Sequence, residues 1–184
     1  MLDFTEYTKI FISLFAILDP IGIIPIIIMF TAGMTAAKRA HVGRLASMTV
    51  CIILLVALLI GQPMLAFFGI SMNSFRVAGG ILLMLMAIRM LNGNLYGSAS
   101  ARNELTDGDS TSALAIVPLS TPLLAGPGSI SAVIMEAHKA SGIEHYVIMG
   151  LIIIVLSFTV WLTFLSAPWV ESVWGKLVSM YSAD

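Results

Sequence analysis

The sequence predicts an all-α, polytopic membrane protein, and three observations support this prediction. Hydrophobic residues make up 59% of the 184 residues, and charged residues make up only 10%, against about 25% in an average soluble domain. The apolar residues occur in runs close to the roughly 20 residues that a helix needs to cross a bilayer. Two of these runs are interrupted by proline and glycine. This composition excludes a soluble enzyme, a secreted disulfide scaffold and a disordered chain, and the net charge of −1 indicates no nucleic-acid partner.

The first predicted element is a broken membrane span from about Ile10 to Gly33, interrupted at Asp19-Pro20. The residues before it are acidic, whereas a removable signal peptide begins with basic residues. We therefore expect this span to be retained.

Four further apolar segments follow, and the fourth of the five is also interrupted, at Ala125-Gly126-Pro127-Gly128. A polar, glycine- and serine-rich stretch, predicted to be a cytoplasmic loop, divides the chain into a first three-helix repeat (1–92), the loop (93–112) and a second, incomplete repeat of two spans (113–184). The predicted segments are about Leu45–Phe68, Phe75–Leu91, Ala113–Met135 and Tyr146–Ala167.

Basic residues in the short loops predict the orientation, because such residues accumulate on the cytoplasmic side. With the N-terminus outside, six Lys and Arg residues fall inside and three fall outside. The inside set includes Lys38, Arg39 and Arg44, which we place in the loop between the first two spans. The opposite orientation would invert this bias.

The two interrupted segments predict an inverted repeat. Aligning Gly22 with Gly128 gives an offset of 106 residues, and each half then begins with a broken span followed by a long unbroken one. Three spans per half would give the halves opposite orientations in the membrane, a common plan of secondary transporters. The counterpart of the third span should begin near residue 181, so we expect the sixth helix to be missing. The alternative is an accidental repeat in a five-span protein.

Asp19 is the only acidic residue deep inside an apolar segment, where charges are costly and usually face a cavity or the bundle interior. Pro20 disfavours helical geometry at Asp19 and removes a backbone donor. We expect a half-helix that ends before Asp19 and a new one that starts at Pro20, with Asp19 as its cap. A plain capping role and a ligand-binding role are both compatible with this pattern.

Half-helix N-termini inside a membrane attract anionic groups such as an amino-acid carboxylate, and free carbonyl groups beside a break can hold a cation. The alternative to a binding role for the second break is a kink that packs against a neighbouring helix. The candidate substrate-binding residues are Asp19, Pro20, Gly22 and Pro25 in the first half, and Ser120, Thr121, Gly126, Pro127, Gly128 and Ser129 in the second.

No metal site is predicted. Two histidines and two glutamates lie close together after the fourth span, but their spacing matches no standard metal site. They are Glu136, His138, Glu144 and His145.

Several pieces of the sequence resemble the MarC family of bacterial inner-membrane proteins, which is also grouped with small neutral amino-acid transporters. The pieces are DPIGIIP (19–25), FGIS (68–71), FRVAGG (75–80) and VPLSTPLLAGPGSIS (117–131). The likeness runs from about Phe11 to Trp169 and is greatest to the YchE-type members. It implies a six-helix fold with both termini outside, and it places the family's motif positions at Asp19, Pro20, Gly22, Pro25, Pro118, Pro122, Gly126, Pro127 and Gly128. The sequence departs from the family after Lys176, where the sixth span is absent.

The expected function is therefore secondary transport of small neutral amino acids across the inner membrane, without a cofactor and coupled to H⁺ or Na⁺. The alternatives are a non-transporting membrane protein that senses or assembles with a partner, and an inactive truncated fragment. The expected partners are the lipid bilayer, a small neutral amino acid and a second copy of the chain. An enzyme is not expected, because the spans contain no activated nucleophile, metal set or acid–base pair.

Overall fold

The structure, a computed structural model, describes residues 3–31, 33–91, 125–139 and 142–181. Every regular element within these ranges is an α-helix, as the sequence predicts. The helices are α1 (Phe4–Leu18), α2 (Ile24–Thr31), α3 (Ala36–Phe67), α4 (Met72–Leu91), α5 (Pro127–Ala137) and α6 (Ile143–Tyr181). The predicted loop at 93–112 and the first part of the fourth predicted span lie outside the described residues.

The first span is broken where the sequence predicts. Helix α1 ends at Leu18, but regular helix resumes at Ile24 rather than at Pro20. The intervening residues form a hydrogen-bonded turn in which the Ile23 N–H donates to the Asp19 carbonyl over 3.3 Å. The prediction of a helix start at Pro20 is wrong because Asp19 has a left-handed backbone conformation. This conformation changes the direction of the chain, and the regular helix begins only after the turn.

Helix α3 is longer than its apolar segment and begins nine residues earlier than predicted. Thr35 caps it, since the Thr35 hydroxyl accepts from the Lys38 N–H at 3.4 Å. Lys38, Arg39 and Arg44 therefore belong to a helix and not to a loop. The Arg39 guanidinium donates to the Thr31 carbonyl at 3.1 Å, which satisfies the end of α2.

The α3–α4 connection is a tight turn. Gly69 has a φ of +67°, and the Ile70 N–H donates back to the Leu65 carbonyl at 2.9 Å. This six-to-one bond around a left-handed residue is the usual way in which glycine ends a helix. Helix α4 therefore starts immediately, at Met72.

The two longest helices, α3 and α6, pack antiparallel. A Cβ atom added to Gly43, early in α3, would lie 2.5 Å from the Phe164 Cβ, just past the midpoint of α6. One added to Gly150, early in α6, would lie 3.8 Å from the Leu55 Cδ2, in the second half of α3. The missing side chains let the two backbones approach closely, as glycine does in membrane helix pairs.

Short helix α5 lies at the centre of the described bundle, where it contacts α1, α3, α4 and α6, while α2 contacts α6. Gly61 of α3 makes room for Ile134 of α5, because an added Cβ would lie 2.4 Å from the Ile134 Cγ1. Leu83 of α4 occupies the space beside Gly128 in the same way, at 2.3 Å from an added Cβ.

Two described helices are long and apolar enough to cross a membrane, Ala36–Phe67 and Ile143–Ala167, and Met72–Leu85 is a shorter apolar helix. Large apolar side chains cover the outer faces of α3 and α6, including Ile52, Leu59, Leu151 and Phe158. Exposed apolar surface of this extent suits contact with lipid rather than water. The inverted repeat and the absent sixth helix stay predictions.

Candidate functional site: the two helix breaks

The first break is organised by Asp19. Its φ of 41° is the only positive value of a non-glycine residue in the described ranges. Its N–H closes the last turn of α1 on the Phe15 carbonyl at 3.0 Å, and its Oδ1 accepts from the Gly22 N–H at 3.0 Å. A side-chain bond to the third residue ahead is the geometry of an N-cap. Asp19 therefore ends one half-helix and caps the turn that leads into the next.

Gly22 is required by this arrangement because the carboxyl group lies directly over it. A Cβ atom at position 22 would stand 2.1 Å from the Asp19 Oδ2 and 2.7 Å from its Cγ. Any larger residue would displace the carboxyl group from the Gly22 N–H. Glycine here permits close approach to the backbone rather than an unusual φ angle.

The surroundings of the first break are half open. Pro20 is buried, whereas Asp19, Gly22 and Pro25 are exposed on the surface of the bundle. Among the described residues, the Asp19 carboxyl group accepts one hydrogen bond, from the Gly22 N–H. The carboxylate thus keeps acceptor capacity for a further donor or a cation.

The second break leads into α5. Gly126 is its N-cap, with extended backbone geometry, and Pro127 occupies the first turn, within the interruption that the sequence predicts. Gly126 has no side chain with which to cap the helix. Gly126, Gly128 and Ser129 are buried, Pro127 is exposed, and the Ser129 hydroxyl donates to the Gly126 carbonyl at 3.2 Å.

The structure brings the candidate residues together in two groups. Asp19 and Gly22 are in direct contact, Pro20 and Pro25 flank them, and Gly126 to Ser129 form a second group at the start of α5. The contact between α1 and α5 places both groups in one helix bundle. Ser120 and Thr121 lie outside the described residues.

One polar cluster was not recognised from the sequence. Gln62 and His145 form hydrogen bonds with His138 and Glu136 at the end of α5. Tyr7 in turn bonds to His145, and Tyr146 bonds to Gln62. The signal for it in the sequence is the group of histidines and glutamates after the fourth span. Within the described ranges, no group of three His, Cys, Asp or Glu side chains is arranged to hold a metal ion.

Comparison with known proteins agrees with the motifs at both breaks. The family model described as "MarC family integral membrane protein" matches residues 4–178. The chain belongs to the MarC family. The resemblance stated from the sequence is thereby confirmed, and with it the assignment as a membrane protein.

Relatives of this MarC family chain are similar over most of their length. A "UPF0056 membrane protein" of Buchnera aphidicola subsp. Baizongia pistaciae is 38% identical over 179 residues, covering 96% of this chain and 82% of the relative. The "UPF0056 membrane protein YhcE" of Escherichia coli is 38% identical over 171 residues, covering 93% and 80%. A relative from Methanocaldococcus jannaschii is 36% identical over 177 residues, covering 96% and 85%. These names state membrane location and no substrate. No solved structure matches the chain.

Proposed function

We propose that this MarC family protein is a secondary transporter of small neutral amino acids. The observation that carries the proposal is Asp19, a carboxylate in an apolar segment, held at a helix break and exposed beside Gly22. Charged groups inside membrane segments generally mark substrate or ion pathways. A cap alone would need no charge, because serine and asparagine cap as well as aspartate.

The packing of α3 and α6 supports an inverted relation between the halves. Gly43 and Gly150 lie at the same distance from the start of their helices, and each faces the later part of the other helix. Each short helix contacts the long helix of the other half, since α2 contacts α6 and α5 contacts α3. Antiparallel equivalents with crossed contacts are expected of an inverted repeat.

The chemistry of the two breaks favours a zwitterion. The Asp19 carboxylate suits an ammonium group, and the N-terminus of α5 suits a carboxylate because helix N-termini carry positive potential. Gly126 and Gly128 provide a backbone that a small ligand can approach closely. The coupling ion is H⁺ or Na⁺, and Asp19 is the group that would bind it. The activity proposed is transport and not catalysis.

For localisation we propose a multi-pass protein of the bacterial inner membrane with the N-terminus outside, as the distribution of basic residues favours. The relatives include an archaeal protein, so the family is not restricted to bacteria. A second copy of the chain remains a proposed partner in the bilayer.

The test is uptake of labelled glycine and alanine by proteoliposomes under a proton or sodium gradient. We expect gradient-dependent uptake that Asp19→Asn abolishes by removing the charge, while Asn retains the capping bond to Gly22. Glu6→Gln is the matched control, because Glu6 is an acidic residue at the start of α1, before the apolar segment. Uptake unaffected by Asp19→Asn, or no uptake by the unaltered chain, would refute the proposal.

A further inference from the structure

Two buried side chains, Arg39 and His145, make corresponding hydrogen bonds in the two halves of the chain. Arg39 lies in the first turn of α3 and is 8% exposed, and His145 lies in the first turn of α6 and is 2% exposed. The Arg39 Nη2 donates to the Thr31 carbonyl oxygen at 3.1 Å. The His145 Nε2 lies 3.1 Å from the Glu136 carbonyl oxygen, which can only accept, so His145 is the donor. In each half, a buried donor of the long helix therefore binds the end of the short helix that precedes it.

The two acceptor carbonyl groups occupy corresponding places in their helices. Thr31 is the last residue of α2, and Glu136 is the last but one of α5. Each carbonyl also accepts from the backbone N–H three residues ahead, that of Met34 in the first half and of Lys139 in the second, both at 3.1 Å. The side-chain donors follow at eight and nine residues from their acceptors. Because the final carbonyl groups of a helix have no partner within it, these bonds complete the ends of both short helices.

The apolar packing of each short helix involves the opposite half. Helix α2 packs on α6, the long helix of the second half, and α5 packs on α3, the long helix of the first. Arg39 and His145 instead join each short helix to the long helix of its own half. Hydrophobic contacts have no preferred direction, whereas a hydrogen bond requires a particular geometry. The hydrogen bond is therefore the contact that fixes where each short helix ends.

The end held by the side chain is linked rigidly to the helix break at the other end. Helix α2 has 8 residues and α5 has 11, so they are about 12 Å and about 17 Å long. Helix α5 begins directly after Gly126, at the second break. Helix α2 follows the turn at the first break, where the Ile23 N–H donates to the Asp19 carbonyl. A shift of either helix therefore displaces the break at its start.

We propose that Arg39 and His145 are positioning residues for the two helix breaks, each acting on the break of its own half. Without its donor, the end of the short helix loses its directional contact, and the helix can shift along its neighbours. A ligand that contacts both breaks then meets the competent arrangement less often, and its apparent affinity falls in proportion. This inference rests on the proposed function where it treats the breaks as the binding site for a neutral amino acid.

The first test is hydrogen exchange of the full chain in lipid nanodiscs, which needs no substrate. His145→Leu should lower the protection of α5 about fivefold, the equilibrium factor for one hydrogen bond, and leave α2 unchanged. Arg39→Met should lower the protection of α2 about tenfold or more, because a bond from a charged donor is stronger, and leave α5 unchanged. Equal losses in both short helices, or no loss in either, would overturn the proposal.

Matched variants separate the bond to the short helix from other effects of the substitutions. His145→Gln and Arg39→Lys keep a donor and should retain the protection of the unaltered chain. Tyr7→Phe removes the hydrogen bond between α1 and His145, which spans 3.2 Å, and should leave α5 protected. Lys38→Met and His41→Leu remove an exposed cation and an exposed histidine of α3 and should affect neither short helix. If Tyr7→Phe lowers the protection of α5 as much as His145→Leu does, the effect belongs to α1 and the proposal is wrong.

The second test is uptake of labelled glycine by proteoliposomes, which separates positioning from a loss of folded protein. Fewer folded carriers lower the maximal rate and leave KM unchanged, whereas displaced breaks raise KM. We expect KM to rise about fivefold in His145→Leu, as for the loss of one hydrogen bond, and to recover in His145→Gln. A lower maximal rate with an unchanged KM would contradict the positioning role.

The two tests can fail independently. If the unaltered chain takes up no glycine, the proposed function is refuted, and the exchange pattern still decides whether Arg39 and His145 position the breaks. If uptake is normal but the exchange losses are not confined to one half, the positioning role is refuted and transport stands.

Discussion

Replacing Gly22 with alanine tests the geometry of the first break directly. The new methyl group would stand 2.1 Å from the Asp19 Oδ2 and force the carboxyl group off the Gly22 N–H. Loss of such a cap costs about 0.5–2 kcal/mol. Because Asp19 is exposed, solvent screens this hydrogen bond, and we expect a cost of about 1.5 kcal/mol or less. Alanine also stabilises the folded state by about 0.5 kcal/mol, because it restricts the unfolded chain more than glycine does. The net destabilisation is therefore about 1 kcal/mol.

Removing the Asp19 side chain first should reverse the sign of the effect of Gly22→Ala on stability. In an Asp19→Ala chain the obstructing carboxyl group is absent, so Gly22→Ala should be neutral or stabilising by about 0.5 kcal/mol. Gly80→Ala is the control, because an added Cβ at that position in α4 meets nothing within 4 Å. It should stabilise both backgrounds equally, by up to about 1 kcal/mol.

Thermal unfolding in detergent provides the assay, with a thiol-reactive dye reporting on half-buried Cys51, the single cysteine. A change of about 1 kcal/mol corresponds to a shift of about 2–4 °C in Tm for a chain of this size. An equal effect of Gly22→Ala in the presence and absence of the Asp19 side chain would refute the reasoning.

Two further substitutions test the interface between α3 and α6. Gly43→Ala should destabilise the protein by about 1–3 kcal/mol and lower Tm, because its Cβ would lie 2.5 Å from the Phe164 Cβ in a closely packed contact. An unchanged or raised Tm would contradict this packing. Ser157→Ala should be neutral or raise Tm by a few degrees, because the buried Ser157 hydroxyl has no hydrogen-bond partner among the described residues and its removal relieves a desolvation cost. A marked loss of Tm would show that the hydroxyl has a partner.

The position of the first break could be predicted from sequence because its cause is local. Asp19 before Pro20 limits the backbone and supplies a cap, and both effects act within a few residues. The helix boundaries were less accessible. The length of an apolar run indicates only the part of a helix that lies in lipid. Lysine and arginine also favour helix, so α3 extends back to Ala36, beyond its apolar part.

The long-range contacts could not be predicted from one sequence. Tyr7 and His145 are brought together only by the packing of α1, α5 and α6, and neither residue signals the other along the chain. The same holds for Gly43 and Phe164, because a glycine in a helix indicates close approach without naming the neighbour. Composition and local motifs therefore predict the fold class and the positions of the helix breaks, whereas the pairing of helices is visible only in the structure.

The crossed contacts of the short helices have a mechanical consequence. Helix α2 follows α1 in the chain but packs on α6, and α5 precedes α6 but packs on α3. A movement that swung one half away from the other as a rigid block would have to break both contacts at once. We therefore expect the two halves to move by sliding along the α3–α6 pair, with the turn at 19–23 acting as the hinge.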